Sequence, residues 1–471
     1  MASFLCLLPL LVLAAGARFT PDWKSLDSRT NPEWYDEAKF GIFVHWGVFS
    51  VPAHQSEWLW WHWKGDDPIP EVVKYMAQHY ANGTTYADFA RDFTAAEFDA
   101  AQFADVIHAS GARYCVLTAK HHEGFTLWPS ATAFGWNAVD VGAHRDLVGE
   151  LATSIRARDL HFGLYFSQMD WFHPLYLQDK KQNSSVFPEQ VSLVQMRELV
   201  AAYRPDVLWS DGDWERPPEY WRSREFLAWL FNDSPVREKV LVNDRWGVGT
   251  AGQHGSFLNH ADGFLPGHLL TRKWESCITL DEHSWGYRRD LQSGDVKSTR
   301  QVVALLAQVL AWGGNLLLNV GPNRLGRIPP IFEDRLRDVG AFVGANAEAI
   351  FESKPWVHQN DSQAVFYTSR LRSAVGLSAS RPFNPQNQTN TLVYAFVLEW
   401  DESGLVQLPS VKWTPKTVIS LLGTQRKLRV VKPRPLTVQL PPLQALPHRA
   451  AAVLRIEFAG DSTFTPKVRG P

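Results

Sequence analysis

Between Phe40 and Pro322 the sequence returns repeatedly to a short apolar run that breaks off into polar residues. Gly41-Ile42-Phe43-Val44 leads into His45, Tyr114-Cys115-Val116-Leu117-Thr118 into Lys120-His121-His122, and Phe162-Gly163-Leu164-Tyr165-Phe166 into Ser167. Val207-Leu208-Trp209 leads into Asp211, Val240-Leu241-Val242 into Asn243-Asp244-Arg245, and Asn315-Leu316-Leu317-Leu318 into Asn319. A strand with one wet face alternates apolar and polar residues, whereas a strand covered on both faces does not, so these runs predict a parallel sheet. Helical patterns lie between them. Thr94-Ala95-Ala96-Glu97 reads as a capping box opening a helix with Phe98, Phe103, Val106 and Ile107 that stops at Gly111. Leu147, Leu151 and Ile155 recur at helical spacing, and a third helix runs from Thr299 through Leu306 and Leu310 to Gly313-Gly314. The alternation predicts an α/β fold, a (β/α)8-like (TIM-type) barrel that is complete or short of a strand, with its chemistry where the strands end.

At 471 residues the chain exceeds one ordinary core. After Ser353-Lys354-Pro355 the texture becomes short alternating runs around Val393–Leu398, Thr417–Leu421, Leu436–Leu440 and Ala452–Ile456, separated by Pro, Gly and Asn. They predict a C-terminal antiparallel β-sandwich, with Ser380 to Asn390 as an exposed loop. The expected organisation is a signal peptide over 1–17, a catalytic barrel over 18–354 and the sandwich over 355–471.

A net charge of −2 leaves no basic footprint for nucleic acid. The run Phe4 to Leu13, followed by small residues, reads as a cleavable secretory signal rather than a membrane span, and no later apolar run is long enough to span a bilayer. Of three cysteines, Cys6 leaves with the signal, so Cys115 and Cys277 offer one bridge at most. Asn-X-Ser/Thr acceptors at Asn82, Asn183, Asn232, Asn360 and Asn387 suit a glycoprotein delivered to the lysosome or secreted, although Pro235 follows the Asn232 acceptor.

The strand end at Asp211, beside Trp209 and Trp214, is the most informative stretch. A carboxylate held there suits sugar cleavage, which uses two carboxyl groups; in a retaining enzyme they stand about 5 to 5.5 Å apart, one attacking the anomeric carbon and one protonating the leaving oxygen. Asp211 fits the nucleophile. Two residues compete for the acid: Glu275, whose neighbour Trp274 would desolvate it, and Asp262, in the loop Asn259 to Gly263. His45, His121 and His122 stand at strand ends, but no His-X-His pair supplies two metal ligands from one strand, and His121 and His122 would point to opposite sides of a regular strand. Hydrogen bonding to sugar hydroxyls is the preferred reading. Glu57-Trp58 and the cluster Trp60, Trp61 and Trp63 read either as a sugar pocket or as a packed lid.

The segments Lys39 to Gly47, Ser56-Glu57-Trp58, Lys120 to Phe125, Trp209 to Gly212, Asn243 to Trp246 and Lys273 to Cys277, in this order, resemble the α-L-fucosidases of glycoside hydrolase family 29, most of all the animal lysosomal and plasma type. The likeness runs from about Phe19 through the C-terminal domain. It implies a retaining exo-enzyme that removes terminal fucose from glycoproteins, glycolipids and oligosaccharides, with Asp211 as nucleophile and either Asp262 or Glu275 as acid. It also implies fucose contacts from His45, Glu57, Trp58, His121, His122, Tyr165, Trp209 and Arg245, no cofactor or metal, and a homo-oligomer, a tetramer. Cys277 lies in the family's signature segment. The loop Gly247 to Phe264 lacks cysteines common in the animal relatives, so Asp262 is expected to be held differently here.

Overall fold

The structure is a computed structural model that describes residues 18–372, 391–424 and 426–459. The expected signal segment with Cys6 and the whole Ser380 to Asn390 loop with the Asn387 acceptor lie outside the described residues.

Seven parallel strands form the first sheet: β1 (Phe40–Val44), β2 (Tyr114–Lys120), β3 (His161–Ser167), β4 (Val207–Asp211), β5 (Leu241–Val242), β6 (Glu275–Thr279) and β7 (Asn315–Val320). Their spatial order, β5-β4-β3-β2-β1-β7-β6, is that of a barrel opened between β5 and β6. The opening is bridged by residues 256–258. The amides of Ser256 and Phe257 donate to the Val242 carbonyl, and Leu258 makes an isolated parallel bridge to Trp274. A stave too short to count as a strand thus stands in the eighth place of the barrel. The sequence had shown six of these strands; β6 hides inside a run that mixes Glu275, Ser276 and Cys277 with its apolar residues.

The apolar runs are explained by two cores. Phe43, Tyr114, Val116, Tyr165, Val207, Trp209, Leu241, Phe257, Cys277 and Leu317 point into the barrel and form one cluster. The alternate residues, such as Ile42, Leu117, Leu164, Leu208 and Leu318, face the surrounding helices. Helices Leu147–Arg156 and Thr299–Ala311 match expectation, capped by Asp146 and by a Ser298–Gln301 capping box. The helix expected from Thr94 instead spans Ala100–Ala109, with Asp99 as its cap, accepting from the amides of Ala101 and Gln102. Residues 95–97 are drawn out of helical geometry because Ala95 and Glu97 donate their amides to Arg324 and Leu325, a distant loop that local pattern does not reveal.

The C-terminal part holds a five-stranded antiparallel sheet, including β8 (Lys354–Ser362), β9 (Val365–Leu371) and β10 (Thr391–Val397), and a three-stranded one. Strand β10 is buried throughout because it serves two interfaces. Leu392, Tyr394 and Phe396 join the core against the barrel helices, while Val393, Ala395 and Val397 join the core between the two sheets. Cys115 and Cys277 are both buried and free, on strands too far apart in the sheet order to bridge. Among the described residues no helix is long and apolar enough to cross a membrane.

Gly41 shows how tightly the barrel floor is filled. A Cβ there would lie 2.5 Å from the ring of Tyr114, and that ring cannot swing away without breaking the 2.7 Å bond from its hydroxyl to Glu275. Gly41→Ala is therefore expected to destabilise the protein by about 1–3 kcal/mol, read as a fall of several degrees in Tm, whereas an unchanged Tm would mean the floor is looser than its packing indicates.

Candidate active site

Beta-strand periodicity sorts the inward residues into layers. Asp211 ends β4 opposite Ser167 of β3; Trp209 sits one layer lower, opposite Tyr165. Above them opens a cleft of about 80 Å³ lined by Phe43, His45, Glu57, Trp58, His121, His122, Tyr165, Trp209, Asp211, Trp214, Arg245, Asp262 and Trp285. Every one of the sequence-predicted fucose-contact residues therefore meets in one cavity, together with Asp211 and Asp262.

Asp211 is almost buried and each of its oxygens is held by a donor. Arg245 Nη1 reaches Oδ1 at 2.9 Å, and the Tyr165 hydroxyl donates to Oδ2 at 2.7 Å. The other Arg245 nitrogen, Nη2, donates to Asp262 Oδ1 at 2.5 Å, so one guanidinium spans both carboxylates. Burial opposes the charge on Arg245, but Asp211 and Asp262 outweigh it and hold the group firmly protonated. The guanidinium also lies over the Trp209 ring, 4.7 Å from its centre.

The two histidines nearest the floor have their tautomers set by neighbours. Asn319 Nδ2 donates to the Trp285 carbonyl, which turns its Oδ1 toward His45 Nδ1 at 2.7 Å; that nitrogen must carry the proton. The Ser167 hydroxyl donates to the Met169 carbonyl and so accepts from His122 Nδ1, again at 2.7 Å. Burial, reinforced by neighbouring histidines, pushes the pKa of both rings well below the ordinary imidazole range. Each ring therefore presents a bare Nε2, an acceptor for a hydroxyl. His122 Nε2 lies 3.7 Å from Asp211 Oδ2, two acceptors face to face that a ligand O–H would separate. Gly212 permits this closeness: its φ is +65°, and a Cβ would meet Ser167 Oγ at 2.5 Å.

His121 also lines the cleft, contrary to the expectation that it and His122 diverge. Regular alternation ends at Lys120, after a register shift between Thr118 and Lys120, so the two histidines sit in a turn with their rings 4.0 Å apart. His121 Nδ1 faces the buried carboxylate of Glu123 at 3.4 Å. Glu57 is fixed by one oxygen, Oε2, which accepts from Ser284 Oγ and from the amides of Trp285 and Gly286, leaving Oε1 for a ligand. Trp58 packs edge-on against His122 and stacks on the exposed Trp214.

The two acid candidates occupy different places. Asp262 stands at the rim with its side chain half exposed. Glu275 lies at the start of β6, beneath the cleft and outside its lining, fully buried. Its carboxylate accepts from Tyr35, Tyr114, Trp209 and Asn259. Burial raises its pKa against these four donors. Cys277, one layer above Glu275, places its Sγ 3.7 Å from Asp262 Oδ1, and burial, followed by that carboxylate, keeps the thiol protonated.

The sequence placed Ser167, Asn319, Asp213 and Trp214 at or beside strand ends without giving them a role, and it did not point to Trp285. Trp214 and Asp213 lie within three residues of Asp211, and proximity to a strand end was their signal; Trp285 becomes visible only when the barrel closes, which also brings Asn319 to His45. Of the glycosylation acceptors, Asn82, Asn183 and Asn360 are exposed. Asn232 is occupied: its amide nitrogen donates to the carbonyls of Phe19 and Ala228, and its oxygen accepts from the Phe19 amide, so a glycan, which replaces one N–H hydrogen, would cost at least one of these bonds.

Comparison with known proteins gives a consistent answer. The family profile described as Alpha-L-fucosidase matches residues 8–348, and the one described as Alpha-L-fucosidase C-terminal domain matches residues 383–457. The chain is 49% identical to a putative alpha-L-fucosidase of Caenorhabditis elegans, over 98% of each chain. It is 48% identical to the tissue alpha-L-fucosidase of Homo sapiens, over 88% of this chain and 85% of that one. Among solved structures, alpha-fucosidase of Thermotoga maritima in complex with a mechanism based inhibitor superposes with a TM-score of 0.75 at 29% identity, over 93% of this chain and 100% of that one.

Asp213 gives the site a pH signature. Burial, with Asp211 adding to it, raises its pKa from 3.8 to about 6, while the Gly247 amide donates to Oδ2. The folded state thus holds this proton more tightly than the unfolded chain, and the resulting stability is present below pH 3.8 and lost as pH rises through about 6. Comparing urea unfolding of the wild type with Asp213→Asn, the wild type is expected to lose about 3 kcal/mol relative to the variant over that window. A pH-independent difference between the two would show that Asp213 titrates alike in the folded and unfolded states.

Proposed function

This chain belongs to the α-L-fucosidase family, and from that membership and the cleft's geometry we propose how its residues divide the hydrolysis of terminal α-L-fucosides. The observation that carries the assignment is the single guanidinium of Arg245 spanning Asp211 at the floor and Asp262 at the rim. Asp211 attacks the anomeric carbon. As the bond to the leaving oxygen breaks, Asp262, replenished with a proton from solvent at the open rim, protonates that oxygen. Asp262 then takes a proton from water, whose oxygen attacks the same carbon and releases Asp211. Two inversions give net retention.

Glu275 is read as structural, because no ligand in the cleft reaches a carboxylate that lies beneath Trp209 with four donors around it. His45 and His122 accept sugar hydroxyls through Nε2, Glu57 accepts through Oε1, and the aromatic rings cover the C–H faces and the methyl group. A site whose buried acceptors are satisfied only by correctly placed hydroxyls discriminates strongly against other sugars. No metal enters this scheme, since Asp211, Asp262 and Arg245 supply every proton and charge. The apolar N-terminal run and the exposed acceptors at Asn82, Asn183 and Asn360 favour the secretory route, to the lysosome or outside the cell, and the family likeness favours a homo-oligomer.

Asp211→Gly is expected to abolish release of a chromogenic α-L-fucoside while leaving the fold intact, and added azide is expected to restore cleavage with a β-configured azide product. Near-normal turnover in the variant without azide would end the nucleophile assignment.

An acid is needed most when the leaving group is poor. Asp262→Ala is accordingly expected to slow natural fucosides far more than activated aryl fucosides, while Glu275→Gln lowers stability without such selectivity. The reverse pattern would transfer the acid role to Glu275.

A further inference from the structure

The catalytic cleft is too small for a glycan. At about 80 Å³ it holds one sugar ring at most, so whatever carries the fucose continues outside it. On the same face, built from the loops that follow β1, β2 and β3, lies a second and larger pocket of about 470 Å³, within the range of roughly 300–1,000 Å³ typical of small-molecule sites. Its wall consists of Trp60, Tyr86, Trp136 and Phe172, with Asp170 and His173 at its edge. Trp60, Trp136 and Phe172 are only half-buried, which leaves ring surface open to the pocket.

The two cavities share a wall of packed rings, edge-on between Trp58 and Trp171 and stacked between Trp171 and Trp60. Trp58, which lines the cleft, is 5.2 Å from Trp171, and Trp171 is 5.6 Å from Trp60, which lines the second pocket. Phe172 in turn packs edge-on against Trp60 at 4.3 Å.

The polar groups at the edge are fixed and complementary. His173 Nδ1 accepts from the Leu175 amide at 3.2 Å, and burial lowers the ring's pKa, so the neutral ring carries its proton on Nε2 and offers it as a donor. Asp170 Oδ1 accepts from the amides of Phe172 and His173, which leaves Oδ2 as an acceptor. A pyranose presents a C–H face bordered by hydroxyls that both donate and accept, and open aromatic faces beside one donor and one acceptor match it.

We propose that this pocket is an accessory subsite for a neutral sugar of the glycan that carries the fucose. The proposal rests on the reading of the chain as a fucosidase. It makes Phe172 and His173 determinants of specificity for extended substrates that take no part in the chemistry.

The test compares 4-nitrophenyl α-L-fucoside with the trisaccharide α-L-fucosyl-(1→2)-β-D-galactosyl-(1→4)-D-glucose on the wild type, Phe172→Leu and His173→Asn. Asparagine keeps the cap of the helix Pro174–Gln182 while removing the imidazole, so it serves even if the phenylalanine variant fails to fold. Each variant is expected to lose at least about tenfold in kcat/KM on the trisaccharide, through KM, with the aryl fucoside unchanged. Equal losses on both substrates, or none on either, would overturn the subsite. A selective loss on an octyl fucoside but not on the trisaccharide would overturn it in favour of an apolar aglycone site. Wild type inactive on the aryl fucoside would instead refute the proposed function itself.

Discussion

The arrangement of the site depends on one ion network, in which Arg245 donates to Asp211 with one nitrogen and to Asp262 with another. Removing a charge from water is costly unless opposite charge and hydrogen bonds replace the water, and here a buried guanidinium meets two carboxylates and an aromatic face. The pairing does more than lower that cost. A planar fork fixes where both carboxylates stand relative to one another, and Tyr165 fixes the remaining oxygen of Asp211. Loss of Arg245 would leave two like charges facing a shared cavity with nothing to set their separation.

Around this network the barrel supplies neutral groups of fixed polarity. Asn319 and Ser167 each commit one nitrogen of a histidine, and burial keeps the rings uncharged, so the cleft wall presents acceptors whatever the solution pH near neutrality. Glu57 is tethered by one oxygen in the same manner. The common device is a polar group whose far side is satisfied by the scaffold and whose near side is reserved for a ligand. Preorganisation of this kind avoids reorientation when the substrate binds.

Much of the architecture was legible from the runs that end in polar residues, because burial on both faces imposes a composition that needs no knowledge of partners. The errors share a cause. The false helix start at Thr94 arose because the amides of Ala95 and Glu97 are taken by a loop more than two hundred residues away. His121 and His122 were expected to diverge because strand alternation was extended one turn too far. Strand β6 and the stave at Leu258 escaped notice since each owes its conformation to neighbours in the barrel rather than to its own pattern.

By itself the sequence determined the alternation of buried strands and helices, the barrel followed by antiparallel sheets, Asp211 at a strand end and the set of polar residues around it. It left both Asp262 and Glu275 open as the acid, with a slight preference for Asp262, since a loop over a barrel mouth and a desolvating tryptophan neighbour each suit that role. Only the tertiary structure separated them. Side chains two residues apart on an inward-facing strand differ by a layer of the barrel, and Glu275, a layer below Cys277, is sealed among Tyr35, Tyr114, Trp209 and Asn259, while the loop from β5 folds Asp262 over the mouth. Depth along a barrel axis is set by strand register across the sheet, a long-range quantity that no local stretch of sequence encodes.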